Sequence, residues 1–213
     1  MKIKSFHLTN FYDKYILPKV VHWACRQKSS QKQRSKIIPL AKGHVIEIAI
    51  GSGLNLPFYR TENIQSLTGL EPSNEIWQLN KVQTDRLDFN FKFINAFAED
   101  IPVKSNTFDT AVITYALCTI KDPQKALSEI KRVLKPDGIL LFCEHGLAPD
   151  KNIKNLQNKI NPYWKIMAGG CHLNKDIPKL ITDNGFKIIA LDKMYIPGWK
   201  PASYNYRGIA ELA

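Results

Sequence analysis

His44-Val-Ile-Glu-Ile-Ala-Ile-Gly-Ser-Gly-Leu-Asn55 decides the architecture. Residues 45–48 are β-branched or apolar apart from one carboxylate, Glu47, and the tight Gly51-Ser52-Gly53 turn comes directly after them. A buried strand that runs into a glycine turn and then a helix is how an α/β sheet offers backbone N–H groups to a nucleotide-like ligand. The acid ahead of the glycines narrows the ligand. Glu47 suits a cationic or hydroxyl-bearing group and is a poor neighbour for a pyrophosphate. No third glycine follows Gly53, which argues against a nicotinamide dinucleotide.

Outward from that stretch, apolar strand-like runs alternate with helical ones. Strands are expected at 45–49, 66–70, 91–94, 107–114, 138–144 and 186–192, and helices at 73–86, 123–134, 152–167 and 175–184. Alternation of this kind predicts a mostly parallel sheet with helices on both faces. A final strand at 204–212 follows Ile196-Pro-Gly-Trp-Lys-Pro201 closely enough for a hairpin, which makes it antiparallel. The expected fold is therefore α/β, Rossmann-like, with a seven-stranded sheet. Ahead of the first strand, 11–25 is helical with an apolar stripe of Tyr12, Ile16, Val20 and Trp23, read as core, and Pro18 should split it. Residues 29–41 form a second, polar helix. Residues 1–43 are thus a helical cap belonging to the same domain as 44–213.

Composition sets the bounds. The chain has 213 residues, 44% hydrophobic and 23% charged, which suits one globular domain. No apolar run is long enough to span a bilayer, and Met1-Lys-Ile-Lys-Ser-Phe-His lacks the apolar core of a signal peptide. Cys25, Cys118, Cys143 and Cys171 are scattered without a C-x-x-C pair, so reduced thiols and a cytoplasmic location are expected. The net charge of +11 gathers before residue 43 and at Lys151, Lys154, Lys159 and Lys165. Such clusters meet phosphates of nucleic acid or of an anionic membrane surface, or simply decorate a solvated face. Arginine is scarce and aromatics are not interleaved, so no obligate nucleic-acid partner is expected.

Further motifs follow in order. Thr68-Gly-Leu-Glu-Pro-Ser73 ends a strand at Glu71, about twenty residues past the glycine turn, where an acid accepts hydrogen bonds from ribose hydroxyls. Asn95-Ala-Phe-Ala-Glu-Asp-Ile-Pro-Val103 leads to Thr107-Phe-Asp109, and Asp122-Pro123 opens a helix closed by Leu134-Lys-Pro-Asp-Gly138. In this order the motifs resemble class I S-adenosylmethionine-dependent methyltransferases, densely over residues 45–144, in the branch of quinone C-methyltransferases and other small-molecule enzymes. Gly51-Ser-Gly-Leu-Asn-Leu-Pro-Phe-Tyr59, Tyr115-Ala-Leu-Cys-Thr-Ile-Lys-Asp-Pro123 and Cys143-Glu-His-Gly146, with Pro162-Tyr-Trp164 and Gly169-Gly-Cys-His172, resemble the membrane-associated alkyl-thiol methyltransferases and their bacterial relatives.

The resemblance implies S-adenosylmethionine as cofactor. It implies that Glu47, Ala49, Gly51, Ser52, Gly53 and Asn55 surround its amino-acid end. Glu71 would take the ribose, Pro72 would pack beside the adenine, Ala98 and Glu99 would read the adenine edge, and Tyr115, Ala116 and Leu117 would wall the methyl group. Ala49 replaces the first glycine of the motif, and Phe97 stands where relatives carry an aspartate. His145, at the carboxyl edge of the sheet, is the candidate base, with a backbone-bonded structural histidine as its alternative; His172 is a second candidate. Tyr12 and Tyr15 as lid residues, and Trp164 and Cys171 beside the acceptor, complete the candidate site. A metal site built from Cys143, His145, Cys171 and His172 lacks a known ligand spacing, so none is expected. The expected acceptor is a small, apolar-bodied thiol, quinol or lipid-like molecule. An RNA or protein methyltransferase and an inactive membrane-surface protein are the alternatives.

Overall fold

The computed structural model describes residues 12–213 except Lys81 and Gln83. Seven strands form one sheet: β1 (Gly43–Ile48), β2 (Ile64–Leu70), β3 (Asn90–Ile94), β4 (Phe108–Thr114), β5 (Leu134–His145), β6 (Phe186–Tyr195) and β7 (Tyr204–Leu212), in the order β3-β2-β1-β4-β5-β7-β6. All pairings are parallel except those of β7, which is antiparallel to both β5 and β6. Every expected strand is present. Side chains alternate between two cores, as the two-residue period of a strand requires. Ile46, Ile48, Ala111, Ile113, Leu140 and Phe142 pack into one core, and Val45, Val112, Leu141 and Cys143 into the other.

The helices are α1 (Leu17–Cys25), α2 (Lys28–Ile37), α3 (Asn74–Trp77), α4 (Pro123–Val133), α5 (Lys151–Met167) and α6 (Ile177–Asp183). α4 shows the local logic: Asp122 caps it by accepting the Lys125 N–H at 3.0 Å, Pro123 occupies its first turn, and Ala126, Leu127, Ile130 and Val133 form its buried stripe. On the same helix, Arg132 binds Glu129 and donates to the carbonyls of Ile101 and Val103 at 2.8 and 2.7 Å, which pins the 95–103 loop. α4 and α5 lie close to expectation.

Two expectations fail. The helix expected at 73–86 stops at Trp77, because the Asn80 side chain accepts the Val82 N–H at 2.9 Å in an Asx turn that competes with helical bonding. The stripe read as core on the first helix faces outward: Ile16 and Val20 are exposed and Trp23 is 68% exposed. Pro18 does interrupt the segment, separating a wide turn at Tyr12–Ile16 from α1. α1 then packs by Pro18, Val21, His22 and Cys25. The part of that expectation that starts at Phe11 lies outside the described residues.

Candidate active site

The strand ends meet where the sheet hands the chain to its loops. Ile48 lies beside Leu70 on one side and Ile113 on the other, so the turns after β1, β2 and β4 open together at the carboxyl edge. There they enclose a cavity of about 260 Å³. Its walls are Ala49, Gly51 and Ser52 from the glycine turn, Glu71 and Pro72 after β2, Ala96 to Glu99 after β3, and Tyr115 and Ala116 after β4. Val21, His22 and Cys25 of α1 close it from above, and His22 Nδ1 pairs with Ser52 Oγ at 2.6 Å.

Conformation and hydrogen bonding fit the turns to this task. Gly51 has φ +58°, and a side chain there would project toward Ile76. Glu71 accepts the N–H groups of Gly51 and Ser73 at 3.0 and 2.9 Å, so one carboxylate joins both turns and keeps lone pairs for a ligand. Burial raises its pKa, against those two bonds. Asn95 donates to the carbonyls of Glu71 and Pro72, both at 2.9 Å, and fastens the third wall to the second. Ala49 and Tyr115 take the left-handed backbone region at φ +52° and +54°, unusual for residues with a Cβ. Phe97 lies 65% exposed at the rim.

Not every residue implied by the resemblance reaches the cavity. Glu47, Gly53, Asn55 and Leu117 sit behind its walls rather than on them. Glu47 is buried and accepts from Asn55 Nδ2 at 2.9 Å and the Tyr59 hydroxyl at 2.7 Å; burial pushes its pKa up to about 7. Its link to the cavity runs through Arg34 of α2, which sequence reasoning missed. Arg34 is buried, lines the cavity, and donates from Nη1 to Asn55 Oδ1 at 2.7 Å and Thr114 Oγ1 at 2.5 Å. Its guanidinium lies 5.0 Å from the Tyr115 ring centre, and its buried Nε has no hydrogen-bond partner. Glu144 was missed too: it accepts the N–H groups of Ala116 and Leu117 at 2.8 and 3.2 Å, bracing that wall, and burial raises it to about 7.

The lid and acceptor candidates divide. Tyr12 donates to the Met167 carbonyl at 2.6 Å and Tyr15 is exposed, so neither walls the cavity; the lid is the opposite face of the same segment. His145 and Cys171 do meet, Nε2 to Sγ at 3.2 Å, and the third member of their group is Cys118. Burial opposes a charged His145, but Cys171 and then Glu144 outweigh it and raise its pKa. Cys143 stays out of the group, with its sulfur on the Tyr115 hydroxyl at 3.6 Å, and His172 pairs with Asn161 Nδ2 at 3.2 Å. Trp164 packs on Trp199, ring centres 5.1 Å apart.

A methyltransferase domain family model matches residues 46–142. Human thiol S-methyltransferase TMT1B is 28% identical over 214 aligned positions, covering 95% of this chain and 87% of that protein. Its rat counterpart is 29% identical, and there the match covers 76% of this chain and 65% of the rat protein's length. The ubiquinone/menaquinone biosynthesis C-methyltransferase UbiE of Campylobacter jejuni is 34% identical over 130 positions, covering 57% of this chain and 52% of that protein. Among solved structures, a Haloferax volcanii chain in a complex with the Trm112 methyltransferase activator superposes with a TM-score of 0.70 at 18% identity, covering 96% and 97% of the two chains. Strand order, antiparallel β7 and these likenesses make the chain a class I S-adenosylmethionine-dependent methyltransferase. Its relatives by sequence include thiol S-methyltransferases and quinone C-methyltransferases.

Proposed function

We propose that the protein transfers a methyl group from S-adenosylmethionine to a small, apolar-bodied acceptor, with a thiol sulfur as the favoured nucleophile and a quinol as the second choice. The observation that carries this is the cavity itself. It is lined by a carboxylate (Glu71), a buried guanidinium (Arg34) and an exposed aromatic (Phe97), groups that suit a ribose, an α-carboxylate and an adenine. Glu71 accepts from the ribose hydroxyls, Pro72 and Phe97 flank the adenine with Ala98 and Glu99 at its edge, and Arg34 pairs with the carboxylate. Glu47 and Asn55 act at one remove by holding Arg34. The cofactor, when bound, supplies a methyl group on a positively charged sulfur.

Transfer is an in-line displacement, so the chain's task is to align the acceptor and exclude water. Tyr115 and Ala116, fixed by Glu144, wall the methyl group, while α1 covers it. A thiol must shed its proton, and His145 with Cys171 is the polar pair that handles it. Calorimetric titration with S-adenosylmethionine, S-adenosylhomocysteine and NAD tests the cofactor. Micromolar binding of an adenosyl ligand, lost in Glu71→Ala and absent for NAD, is expected, and no binding by the wild type would sink the proposal.

One observation bears on how an apolar acceptor arrives. Tyr15, Ile16, Val20 and Trp23 lie exposed near Ile166 and Met167, the two segments being joined by Tyr12 and by Leu17 against Gly169. Lys14, Lys19 and Lys165 stand exposed in the same segments. This surface supports peripheral contact with an anionic membrane that holds the acceptor. Co-sedimentation with anionic vesicles, reduced in Trp23→Ser/Ile166→Ser, is the expected result; no sedimentation of the wild type would remove this part.

A further inference from the structure

The end of β5 and two loops far from it in sequence bring His145, Cys118 and Cys171 together. Their ligand-capable atoms all lie within 4.8 Å of one another, and among the described residues this is the group that has metal-ligand chemistry. The backbone enforces the meeting, since the His172 N–H donates to the Cys118 carbonyl at 2.9 Å and sets the two cysteine-bearing segments side by side. Gly169 and Gly170, at φ +59° and +90°, turn the chain into that position. Of the two imidazole nitrogens, Nε2 faces the Cys171 sulfur.

We propose that Cys118 Sγ, His145 Nε2 and Cys171 Sγ bind one zinc ion, with the fourth position open to the sulfur of the acceptor. Tetrahedral zinc with bonds of about 2.3 Å to sulfur and 2.0–2.1 Å to nitrogen separates its ligand atoms by roughly 3.6–3.8 Å. The 3.2 Å between Cys171 Sγ and His145 Nε2 lies a few tenths of an ångström inside that spacing, and the other two separations fall within 4.8 Å. Two thiolates and a neutral imidazole match the charge and softness of zinc, and carboxylate-seeking cations such as magnesium find no oxygen ligand among the three. Two charged groups of opposite sign, Glu144 and Lys175, stand beside the cluster. Buried Glu144 adds a carboxylate with one oxygen unpartnered. The nearby ammonium of Lys175 gives its N–H bonds to the carbonyls of Leu117 and Ile120, at 2.7 and 3.2 Å.

Three protein ligands and one open position is the arrangement of a reactive zinc site rather than a structural one. Cys171 is only partly buried, whereas Cys118 is enclosed. Thr119, next to Cys118, and Cys25, which shares an electrostatic field with Cys171, both line the cavity. With His145 Nε2 and Cys171 Sγ committed to the metal, a thiol reaching the open position loses its proton to solvent, instead of to that pair, and binds as thiolate. Its sulfur then forms the new bond to the methyl carbon as the bond from that carbon to the sulfonium breaks, and the neutral thioether leaves the metal. The zinc site stands on the cluster alone; its use by the acceptor rests on the thiol proposal above.

The test is metal binding, read separately from activity. Full-length protein purified with a non-thiol reductant and stripped with chelator is expected to take up about one zinc per chain, tighter than about 1 µM. Cobalt in its place is expected to give the intense visible bands of a tetrahedral thiolate site. Cys118→Ser/Cys171→Ser should lose uptake by at least ten-fold while still binding S-adenosylhomocysteine, and His145→Gln, which spares both sulfurs, provides a second check. No zinc uptake by wild type, uptake unchanged in these variants, or a Cys118–Cys171 disulfide under the reductant would overturn the site. Ethanethiol added to the cobalt form should shift its bands; unshifted bands would remove the acceptor's place on the metal and leave the zinc site standing.

Discussion

Arg34 is the residue whose removal says most about the cavity. Its guanidinium is buried, anchored by Asn55 and Thr114, belongs to a residue that lines the cavity, and has an unpartnered Nε. A charge-assisted bond in such a setting contributes about 1.5–3 kcal/mol, which at 1.36 kcal/mol per decade is a factor of roughly 10–150 in affinity. Replacing Arg34 by Met, however, also strips Asn55 and Thr114 of a donor and leaves Glu47 without a nearby cation, so a loss of affinity alone would be ambiguous. The discriminating experiment compares two ligands on two proteins. Calorimetry on wild type should show S-adenosylmethionine binding roughly 10–150 times tighter than its decarboxylated analogue, which keeps the ammonium, the sulfonium and the adenosine. In Arg34→Met the ratio should collapse toward unity, whatever happens to either affinity. A wild type that does not distinguish the ligands, or a variant that still does, refutes the assignment.

Ala49→Gly should stabilise the fold. The left-handed backbone costs alanine about 1–2 kcal/mol, glycine returns some of this as unfolded-state entropy, and a gain of roughly 0.5–1 kcal/mol should raise Tm in a thermal melt; a fall in Tm would show that its methyl group packs usefully. Gly208→Ala should do the reverse, since a Cβ there would stand 2.4 Å from the Ala190 carbonyl oxygen and 2.5 Å from the Phe142 ring. A cost of about 2 kcal/mol, or roughly 4–8 °C in Tm, is expected, and an unchanged melt would refute the close packing of β7. Glu47 has a folded pKa raised to about 7, so its contribution to stability is complete below the unfolded value near 4.5 and is lost as pH rises through 7. Chemical denaturation of Glu47→Gln across pH 5 to 8 should therefore show the variant gaining on wild type as pH rises, by up to about 1.4 kcal/mol per unit, and a flat difference would count against a protonated Glu47.

The strands were legible because each carries its own alternation: Val45 against Ile46, Val112 against Ile113, Leu141 against Phe142. The glycine turn and Glu71 were legible because their backbone and charge requirements are local. What escaped depends on how segments dock. The first helix has apolar side chains on two faces, and periodicity cannot say whether Val21 and Cys25 or Val20 and Trp23 turn inward. Arg34 stands among Gln33, Ser35 and Lys36, a pattern that suits a solvated helix as well as a buried one. It is buried because α2 packs on β5 and β7, where Arg207 donates to Gln33 at 2.7 Å. Helix α3 was overestimated because the Asx turn at Asn80 competes with a helical pattern that looks unbroken. Cys118, His145 and Cys171 are separated by long intervals, so no spacing rule could join them.

The position of β7 bears on how a new molecule comes into being. It is synthesised after β6, yet lies between β5 and β6. Until residues 204–212 leave the ribosome, both neighbours keep a bare edge of unpaired N–H and C=O groups, the template on which strands of separate chains associate. The strand also carries Asn205, which accepts the Tyr115 hydroxyl at 2.8 Å, and Arg207, which reaches the helix that bears Arg34. A nascent chain halted before β7 would therefore be sticky and unable to assemble its pocket. The sheet is thus closed by its last-made strand, and the Tyr115 wall of the cavity gains its bond to Asn205 only at that step.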